Sequence, residues 1–349
     1  MVRIFGSAVC GAAGPDIVIL PHVDQPRRIS ARRTLKSILI MEIMQRRTFL
    51  QSAVAGSLAV ASGSAATLPK RTYKNGVELS VIGFGGIVVV GMEQKEADHE
   101  VAVAFDRGVN YFDVAPSYFE GEAERKLGPA LEQFRKRSFL ACKTMERGAD
   151  GARKELEQSL TRLKTEHFDL YQFHAVSSME DVEKILAPNG AAKTFLKARE
   201  EGKVRFLGAS VHNAAAGIAL MDQFPLDSVL FPVNFVLFQE GHFGPQILEK
   251  AEQKGIARMA LKSLAHTTWP ERQHDEWRKC WYKPVDDPAL AEMALRFTLS
   301  EDITAAIPPG EVQLFRMALD FAGRFRALQP EERAALLAKA KGVTPLFRA

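Results

Sequence analysis

Three apolar, strand-like runs recur at almost equal spacing, and each carries a polar residue near its end. These residues are Asp113, Lys143 and His174, with intervals of 30 and 31 residues. One such interval accommodates a strand, a helix and two connections, which is the repeat of a parallel α/β fold. In a parallel barrel, the ends of successive strands meet at the C-terminal mouth, where catalytic groups lie. The spacing therefore predicts that these side chains converge there, with Tyr118 on the intervening loop.

The same alternation continues along the chain and predicts an α/β fold of the (β/α)8 TIM barrel type. No G-x-G-x-x-G turn follows the first strand, which argues against an open doubly wound sheet. Asn75-Gly76 between β-compatible residues predicts an N-terminal β-hairpin, placed to plug the bottom of the barrel. The predicted strands are 80–86, 110–115, 138–143, 168–174, 206–211, 228–234, 257–264 and 303–307. The predicted helices are 95–107, 122–134, 151–163, 179–201, 214–223, 245–254, 288–299 and a charged helix over 330–341.

Residues 1–66 differ in composition from the rest of the chain. They hold eight Lys or Arg and three Asp or Glu, which leaves 38 basic and 39 acidic residues elsewhere. The predicted barrel domain, 67–349, is therefore close to neutral. We expect no nucleic-acid partner, because no basic footprint is present.

Arg46-Arg47 precede an uncharged, Ala/Ser/Gly-rich stretch, 48–66, that ends in small residues. We interpret 1–66 as a leader with a twin-arginine signal peptide, so the export machinery is an expected partner. The expected location is the periplasm or another exported compartment, or the cytoplasm if the signal is not used. A membrane anchor and a disordered basic leader are the alternatives. Nineteen uncharged residues are marginal for ~30 Å of hydrocarbon, so no stable span is expected.

Two further features concern the start of the chain and its cysteines. Translation from Met44 would leave residues 1–43 out of the protein. The three cysteines include no C-x-x-C pair, so we expect no metal site, and Cys142 reads as a small core residue.

An Asp, a Tyr, a Lys and a His at one barrel mouth suit carbonyl reduction, which needs a proton on oxygen. A tyrosine with a pKa of ~10 is a slow acid, and a neighbouring ammonium lowers that pKa. Lys143 supplies the ammonium, and Asp113 fixes and balances its charge. His174 orients and polarises the carbonyl. Taken singly, Asp113 reads equally as a helix cap, and His174 and Tyr118 as buried structural residues.

The segments that carry these residues resemble the aldo-keto reductase superfamily. The similarity extends from about Thr72 to about Pro345 and implies a barrel enzyme that uses extended NAD(P)H without a Rossmann fold. The matching segments are 79–86, 108–115, 121–124, 127–128, 169–174, 204–210 and 307–310, together with Tyr118 and Lys143. The resemblance implies Asp113, Tyr118, Lys143 and His174 as the catalytic tetrad. It implies cofactor contacts by Gly86, Asp113, Ser210, His212, Leu261, Lys262, Gly310 and Arg316.

Departures from the family pattern fall at the predicted nicotinamide contacts. Val211 stands where Asn is common, Leu230 where Gln is common, and Leu261 where a stacking Tyr is common. After the eighth strand, Arg316 is the only nearby candidate for a 2′-phosphate. NADP(H) is therefore favoured over NAD(H) by a small margin.

The predicted function is an NAD(P)H-dependent oxidoreductase that reduces a small aldehyde or ketone, with Tyr118 as proton donor. One alternative is a nicotinamide-binding sensor or partner subunit with little turnover. Another is an epimerase or isomerase that retains its cofactor. The loop 265–288, which holds all three tryptophans, either shapes the substrate pocket or packs on the barrel wall.

Overall fold

The computed structural model describes residues 67–270 and 276–349, and the predicted leader and export signal lie outside these residues. Eight parallel strands follow each other in space in the same order as in the chain. They are β3 (Phe84–Gly85), β4 (Tyr111–Asp113), β5 (Phe139–Thr144), β6 (Phe168–Val176), β7 (Val204–Val211), β8 (Ser228–Pro232), β9 (Ala257–Leu261) and β12 (Ala305–Ile307).

The two edges of this sheet meet, as the prediction of a barrel requires. A parallel bridge joins Ile82 to Ala306, and the amide of Gly83 donates to the carbonyl of Ala306 at 2.9 Å. The (β/α)8 TIM barrel predicted from the alternation is confirmed. Closure brings the C-terminal ends of all eight strands to one mouth.

The predicted N-terminal hairpin is also confirmed. Strands β1 (Lys70–Thr72) and β2 (Glu78–Ser80) pair antiparallel, and Asn75 and Gly76 at the turn have φ values of 50° and 75°. Both residues adopt the left-handed backbone that such tight turns require. Tyr73 enters the barrel interior, where its ring lies 5.2 Å from those of both Phe139 and Phe206. The hairpin therefore seals the end of the barrel opposite the mouth.

Helices pack around the barrel, and several of them begin at a side chain that caps the first turn. Ser178, Asn213 and Asp287 each accept a hydrogen bond from a backbone amide in the first turn. The helices are α1 (Gln94–Asp106), α2 (Glu122–Leu131), α3 (Ala149–Arg162), α4 (Met179–Leu186), α5 (Ala191–Glu200), α6 (Ala214–Gln223), α7 (Pro245–Gln253), α8 (Pro288–Ser300), α9 (Val312–Gly323) and α10 (Pro330–Ala340).

The single helix predicted over 179–201 is wrong, because the structure has two helices, α4 and α5, in this stretch. Pro188 disfavours helical backbone in the residue before it. Gly190 packs so tightly that an added Cβ would lie 2.2 Å from the carbonyl oxygen of Ile185. The chain therefore breaks between the two helices.

The Trp-rich loop folds back on itself through two short strands, β10 (Ala265–Thr268) and β11 (Tyr282–Pro284), which pair antiparallel. The indole of Trp269 donates to the carbonyl of Cys280 at 2.8 Å. This arrangement holds Trp281 over the mouth of the barrel. In the described part of the chain, no helix has the length and apolar character needed to cross a bilayer.

Candidate active site

The barrel brings the four predicted catalytic side chains together at its mouth. Asp113 ends β4, Lys143 lies in β5 and His174 lies in β6, while Tyr118 follows β4 on a loop. The ring centroids of Tyr118 and His174 are 5.4 Å apart. Adjacent parallel strands place their C-terminal residues side by side, so the regular chain spacing becomes a spatial cluster.

Lys143 and Asp113 form a salt bridge that is almost fully removed from solvent. The second carboxylate oxygen of Asp113 accepts hydrogen bonds from Tyr111 at 3.1 Å and from Gln172 at 3.0 Å. Burial lowers the pKa of Lys143, but the charge of Asp113, its hydrogen bond and the neighbouring Tyr118 together more than compensate and keep the pKa above its usual value. Lys143 is thus a fixed ammonium.

The hydroxyl of Tyr118 lies 3.4 Å from the Nζ atom of Lys143. Burial raises the pKa of Tyr118, and Lys143 opposes this rise without cancelling it. The expectation of a phenol acidified below its ordinary value is therefore wrong for the protein without ligand, because desolvation exceeds the effect of the ammonium. The phenol is protonated at neutral pH and has a cation beside it.

The imidazole of His174 is kept neutral by its surroundings. Its Nδ1 atom shares a hydrogen bond with the hydroxyl of Ser117 at 3.2 Å. Burial lowers the pKa of His174 well below its usual value, and the nearby charges of Lys143, Arg147 and Lys262 add to this effect. The ring is therefore a neutral hydrogen-bonding group.

A cavity of about 430 Å³ opens above these side chains. Its walls hold three members of the tetrad, and Lys143 lies just behind Asp113. Six of the eight predicted cofactor residues line it, namely Asp113, Ser210, His212, Leu261, Lys262 and Gly310. Trp281 and Phe119 also line it and are half exposed.

The other two predicted cofactor residues, Gly86 and Arg316, lie outside the cavity lining. An added Cβ on Gly86 would meet Val114 at 2.6 Å, so this glycine permits close packing between β3 and β4. The guanidinium of Arg316 is bonded to both carboxylate oxygens of Glu100 on α1. Its charge is thus already paired.

The departures from the family pattern have two different locations. Leu230 and Leu261 line the cavity and present only hydrocarbon to it, whereas Val211 is buried in the core. An amide is therefore missing from both places where the family pattern suggests one. Trp281 and Tyr282 line the cavity, but Trp277 packs against the core, so the loop shapes the pocket and also covers the barrel wall.

Four contacts to the tetrad were not predicted from the sequence. Tyr111 and Gln172 bind Asp113, Ser117 binds His174, and Arg147 donates to the carbonyl of His174 at 2.8 Å. Tyr111 precedes Asp113 by two residues, and Gln172 precedes His174 by two. Side chains two apart on a strand face the same way, so this signal was visible in the sequence.

The charge of the cavity fits an anionic nicotinamide cofactor. Arg278 and Lys279 line it, whereas Asp113, an acidic lining residue, is already paired with Lys143. Cationic side chains suit the phosphates of such a cofactor. Within 67–270 and 276–349, no cluster of His, Cys, Asp or Glu is arranged to hold a metal ion.

Comparison with known proteins agrees with this architecture. The sequence model described as "Aldo/keto reductase family" matches residues 81–320, and the chain belongs to this family of oxidoreductases. The aldo-keto reductase YhdN of Bacillus subtilis is 30% identical over 223 residues, which cover 58% of this chain and 63% of that protein. The match thus spans less than two thirds of that relative.

Solved structures share the fold at low sequence identity. An aldo-keto reductase of Bacillus halodurans, AKR11C1 in its holo form, has a TM-score of 0.63 and 20% identity, covering 80% of this chain and 98% of that one. An aldo-keto reductase of Klebsiella pneumoniae, solved in complex with NADPH, has a TM-score of 0.59 and 17% identity, covering 81% and 98%. These structural similarities support the (β/α)8 barrel fold of this chain.

Proposed function

We propose that this protein reduces a small aldehyde or ketone with NAD(P)H and that Tyr118 donates the proton to the carbonyl oxygen. The observation that carries this proposal is the hydroxyl of Tyr118 at 3.4 Å from a buried ammonium, in the wall of the same cavity as His174. Family membership supports the reaction class. When bound, the nicotinamide supplies a hydride to the carbonyl carbon.

Four side chains carry out the proton transfer and hold the carbonyl oxygen. A protonated Tyr118 gives its proton to the oxygen as the C–O double bond becomes a single bond, and Lys143 stabilises the phenolate that remains. Asp113 holds the ammonium in place through its salt bridge. If Ser117 donates to Nδ1 of His174, the neutral ring carries its proton on Nε2 and can hold the carbonyl oxygen.

We assign cofactor binding to four of the predicted residues that line the cavity: Asp113, Ser210, Leu261 and Gly310. The NADPH complex of the Klebsiella pneumoniae relative supports NADP(H) as the cofactor. Because Arg316 is paired with Glu100, the proposed preference for NADP(H) over NAD(H) is small. Separate titrations with NADPH and NADH, read by protein fluorescence, determine which cofactor binds more tightly.

The test of the function is oxidation of NADPH and of NADH by the purified protein with a panel of aldehydes and ketones. Tyr118→Phe is expected to lower kcat about 10²- to 10⁴-fold and to leave NADPH binding intact. Tyr171→Phe is the matched control, since Tyr171 is a buried tyrosine outside the cavity lining. Equal activity of wild type and Tyr118→Phe would reject the proton donor.

The leucines at 230 and 261 keep the sensor or partner-subunit alternative open. Normal cofactor binding with no turnover in the wild type would favour it. Cofactor that stays bound through purification, with substrate interconversion but no net NADPH oxidation, would favour the epimerase or isomerase instead.

The proposed location is the periplasm or another exported compartment. Arg46-Arg47 and the uncharged stretch 48–66 support twin-arginine export. Cell fractionation of the wild type and of the double variant Arg46→Lys/Arg47→Lys tests it. Export of the wild type with cytoplasmic retention of the variant is expected, and equal distribution of both would reject the signal.

A further inference from the structure

One side of the active-site cavity carries a cation, Lys262, that has no part in the proposed proton transfer from Tyr118. Lys262 follows β9 with a φ of 62°, and its side chain reaches the cavity wall. Its Nζ atom lies 5.2 Å, 5.6 Å and 5.8 Å from the ring centroids of Trp281, Tyr282 and Phe347. These three rings form an aromatic cage around the ammonium.

The caged ammonium has no carboxylate partner among the described residues. In the described part of the chain, no Asp or Glu oxygen lies within ion-pair distance of Lys262. Burial lowers its pKa to about 8, so it is mainly protonated at neutral pH. An ammonium held in a partly dry site without a counter-charge is costly, and an anion bound there would offset that cost.

A buried polar atom without a hydrogen-bond partner among the described residues lies beside it. The imidazole of His212 stacks on Phe347 at 5.1 Å with an interplanar angle of 10°, and its Nε2 atom is buried without a hydrogen-bond partner. The charge of Lys262 acts on both His212 and His174. Lys262 and His212 therefore border the side of the cavity where the imidazole of His174 lies.

The other lysine of the cavity lining is separate from this pair. The ammonium of Lys279 donates to the carbonyl of Val88 at 2.9 Å, and its backbone amide donates to Glu311 at 2.6 Å. These contacts place Lys279 on the Gly310 side of the cavity, which suits the cofactor. Lys262 and His212, which the family resemblance implies as cofactor contacts, are therefore available to the substrate.

We propose that Lys262 and His212 form a carboxylate-binding subsite, so that the preferred substrates are carbonyl compounds that carry a carboxylate. The ammonium and an imidazole N–H both donate to carboxylate oxygens. The half-exposed rings of Phe119 and Trp281 at the same cavity offer contact to an apolar or aromatic body. This inference rests on the proposed carbonyl reduction and names its substrate class.

The kinetic test compares 2-, 3- and 4-carboxybenzaldehyde with the correspondingly substituted methylbenzaldehydes. In the wild type, at least one carboxylated isomer is expected to have a kcat/KM about ten- to a hundredfold above that of its neutral match. Lys262→Gln is expected to bring this ratio close to one, and Lys262→Arg to retain most of it. Lys283→Gln is the control, because Lys283 lies next to Tyr282 but outside the cavity lining.

A binding experiment without turnover separates the subsite from the reductase activity. Benzoate is expected to quench tryptophan fluorescence through Trp281 and to bind at least tenfold more tightly than benzamide, and Lys262→Gln and His212→Phe should each remove most of this difference. If wild type reduces neutral aldehydes but shows no carboxylate preference in either assay, the subsite is rejected while the reductase stands. If benzoate binds through Lys262 but no aldehyde is reduced, the anion site stands and the reductase is rejected.

Measurement of cofactor affinity distinguishes a substrate-binding role of Lys262 from a cofactor-binding role. The dissociation constant of NADPH is measured for wild type and Lys262→Gln, with circular dichroism and thermal unfolding to verify that the variant is folded. A change below about threefold supports a substrate role. A loss of tenfold or more, with an unaltered ratio between carboxylated and neutral aldehydes, would assign Lys262 to a cofactor phosphate and overturn the proposal.

Discussion

Lys143 lies between two partners of different character: its Nζ atom forms a buried salt bridge with Asp113 and sits 3.4 Å from the hydroxyl of Tyr118. The carboxylate keeps the ammonium charged in spite of burial. The ammonium in turn limits the rise in the pKa of the phenol. Removal of any one of the three therefore changes the charge state or the stability of the other two.

Lys143→Met is expected to lower the free energy of unfolding by about 3–5 kcal/mol, because it leaves the carboxylate of Asp113 buried without its counter-charge. The double variant Lys143→Met/Asp113→Asn is expected to recover part of this loss, since the neutral amide no longer needs a cation. Urea unfolding of both variants and of Lys283→Met as a control measures the effect. Equal destabilisation of single and double variants would contradict this account of the pair.

The raised pKa of Tyr118 predicts different pH profiles for the two directions of catalysis. Reduction needs the protonated phenol, so kcat for a neutral aldehyde is expected to stay level from pH 6.5 to about 9. Alcohol oxidation needs the phenolate, so its kcat is expected to rise over that interval. Lys143→Met should move the rise to higher pH, since burial then acts unopposed. Steady-state kinetics in both directions tests this, and a fall in reduction centred near pH 7 would contradict it.

The buried histidines predict a loss of stability in mild acid. Burial and the charge of Lys262 lower the pKa of His212 from 6.5 to about 3, and the pKa of His174 is also well below 6.5. Between these values the unfolded chain binds protons that the folded protein does not. Stability is therefore full above pH 6.5 and falls as the pH decreases toward 3, by up to about 1.4 kcal/mol per pH unit for each histidine.

Urea unfolding at pH 7.0, 6.0 and 5.0 measures this slope. His212→Gln is expected to reduce it, because one of the suppressed protonations is removed. His167→Gln serves as the matched control, since His167 is exposed. A slope that is the same in wild type and His212→Gln would show that His212 is not held neutral in the folded protein.

The ion pair between Glu100 and Arg316 predicts a way to change cofactor preference. Glu100→Gln releases the guanidinium, which is then free to bind a 2′-phosphate. The ratio of kcat/KM for NADPH to that for NADH is expected to rise about tenfold. Adding Arg316→Gln should cancel the rise. An unchanged ratio in Glu100→Gln would place the 2′-phosphate site elsewhere.

The barrel itself was predictable because its signals are local and repeated. Apolar runs at regular intervals gave all eight strands, and Asn75-Gly76 gave the hairpin. The break between α4 and α5 was missed although Pro188 was visible, because the apolar period continues across it. Helix α9 was not predicted although its buried residues Leu314, Ala318 and Ala322 repeat with the helical period. The pairing of β10 with β11 depends on contacts that periodicity does not show.

The site was predictable to the level of its four central side chains, and beyond them the limits are physical. The direction of the pKa shift of Tyr118 depends on desolvation, which is a property of the folded cavity. The partner of Arg316 lies 216 residues away in the chain, so no local pattern reveals it. The cage around Lys262 likewise joins segments that are distant in the chain, namely the end of β9, the Trp-rich loop and the C-terminal residues.

Tyr73 closes the end of the barrel opposite the mouth, so the active-site cavity is open at the mouth alone. Cofactor and substrate share this single opening, and they therefore bind and leave in sequence. A ligand that binds deeper in the cavity must therefore enter before, and leave after, a ligand that binds nearer the opening.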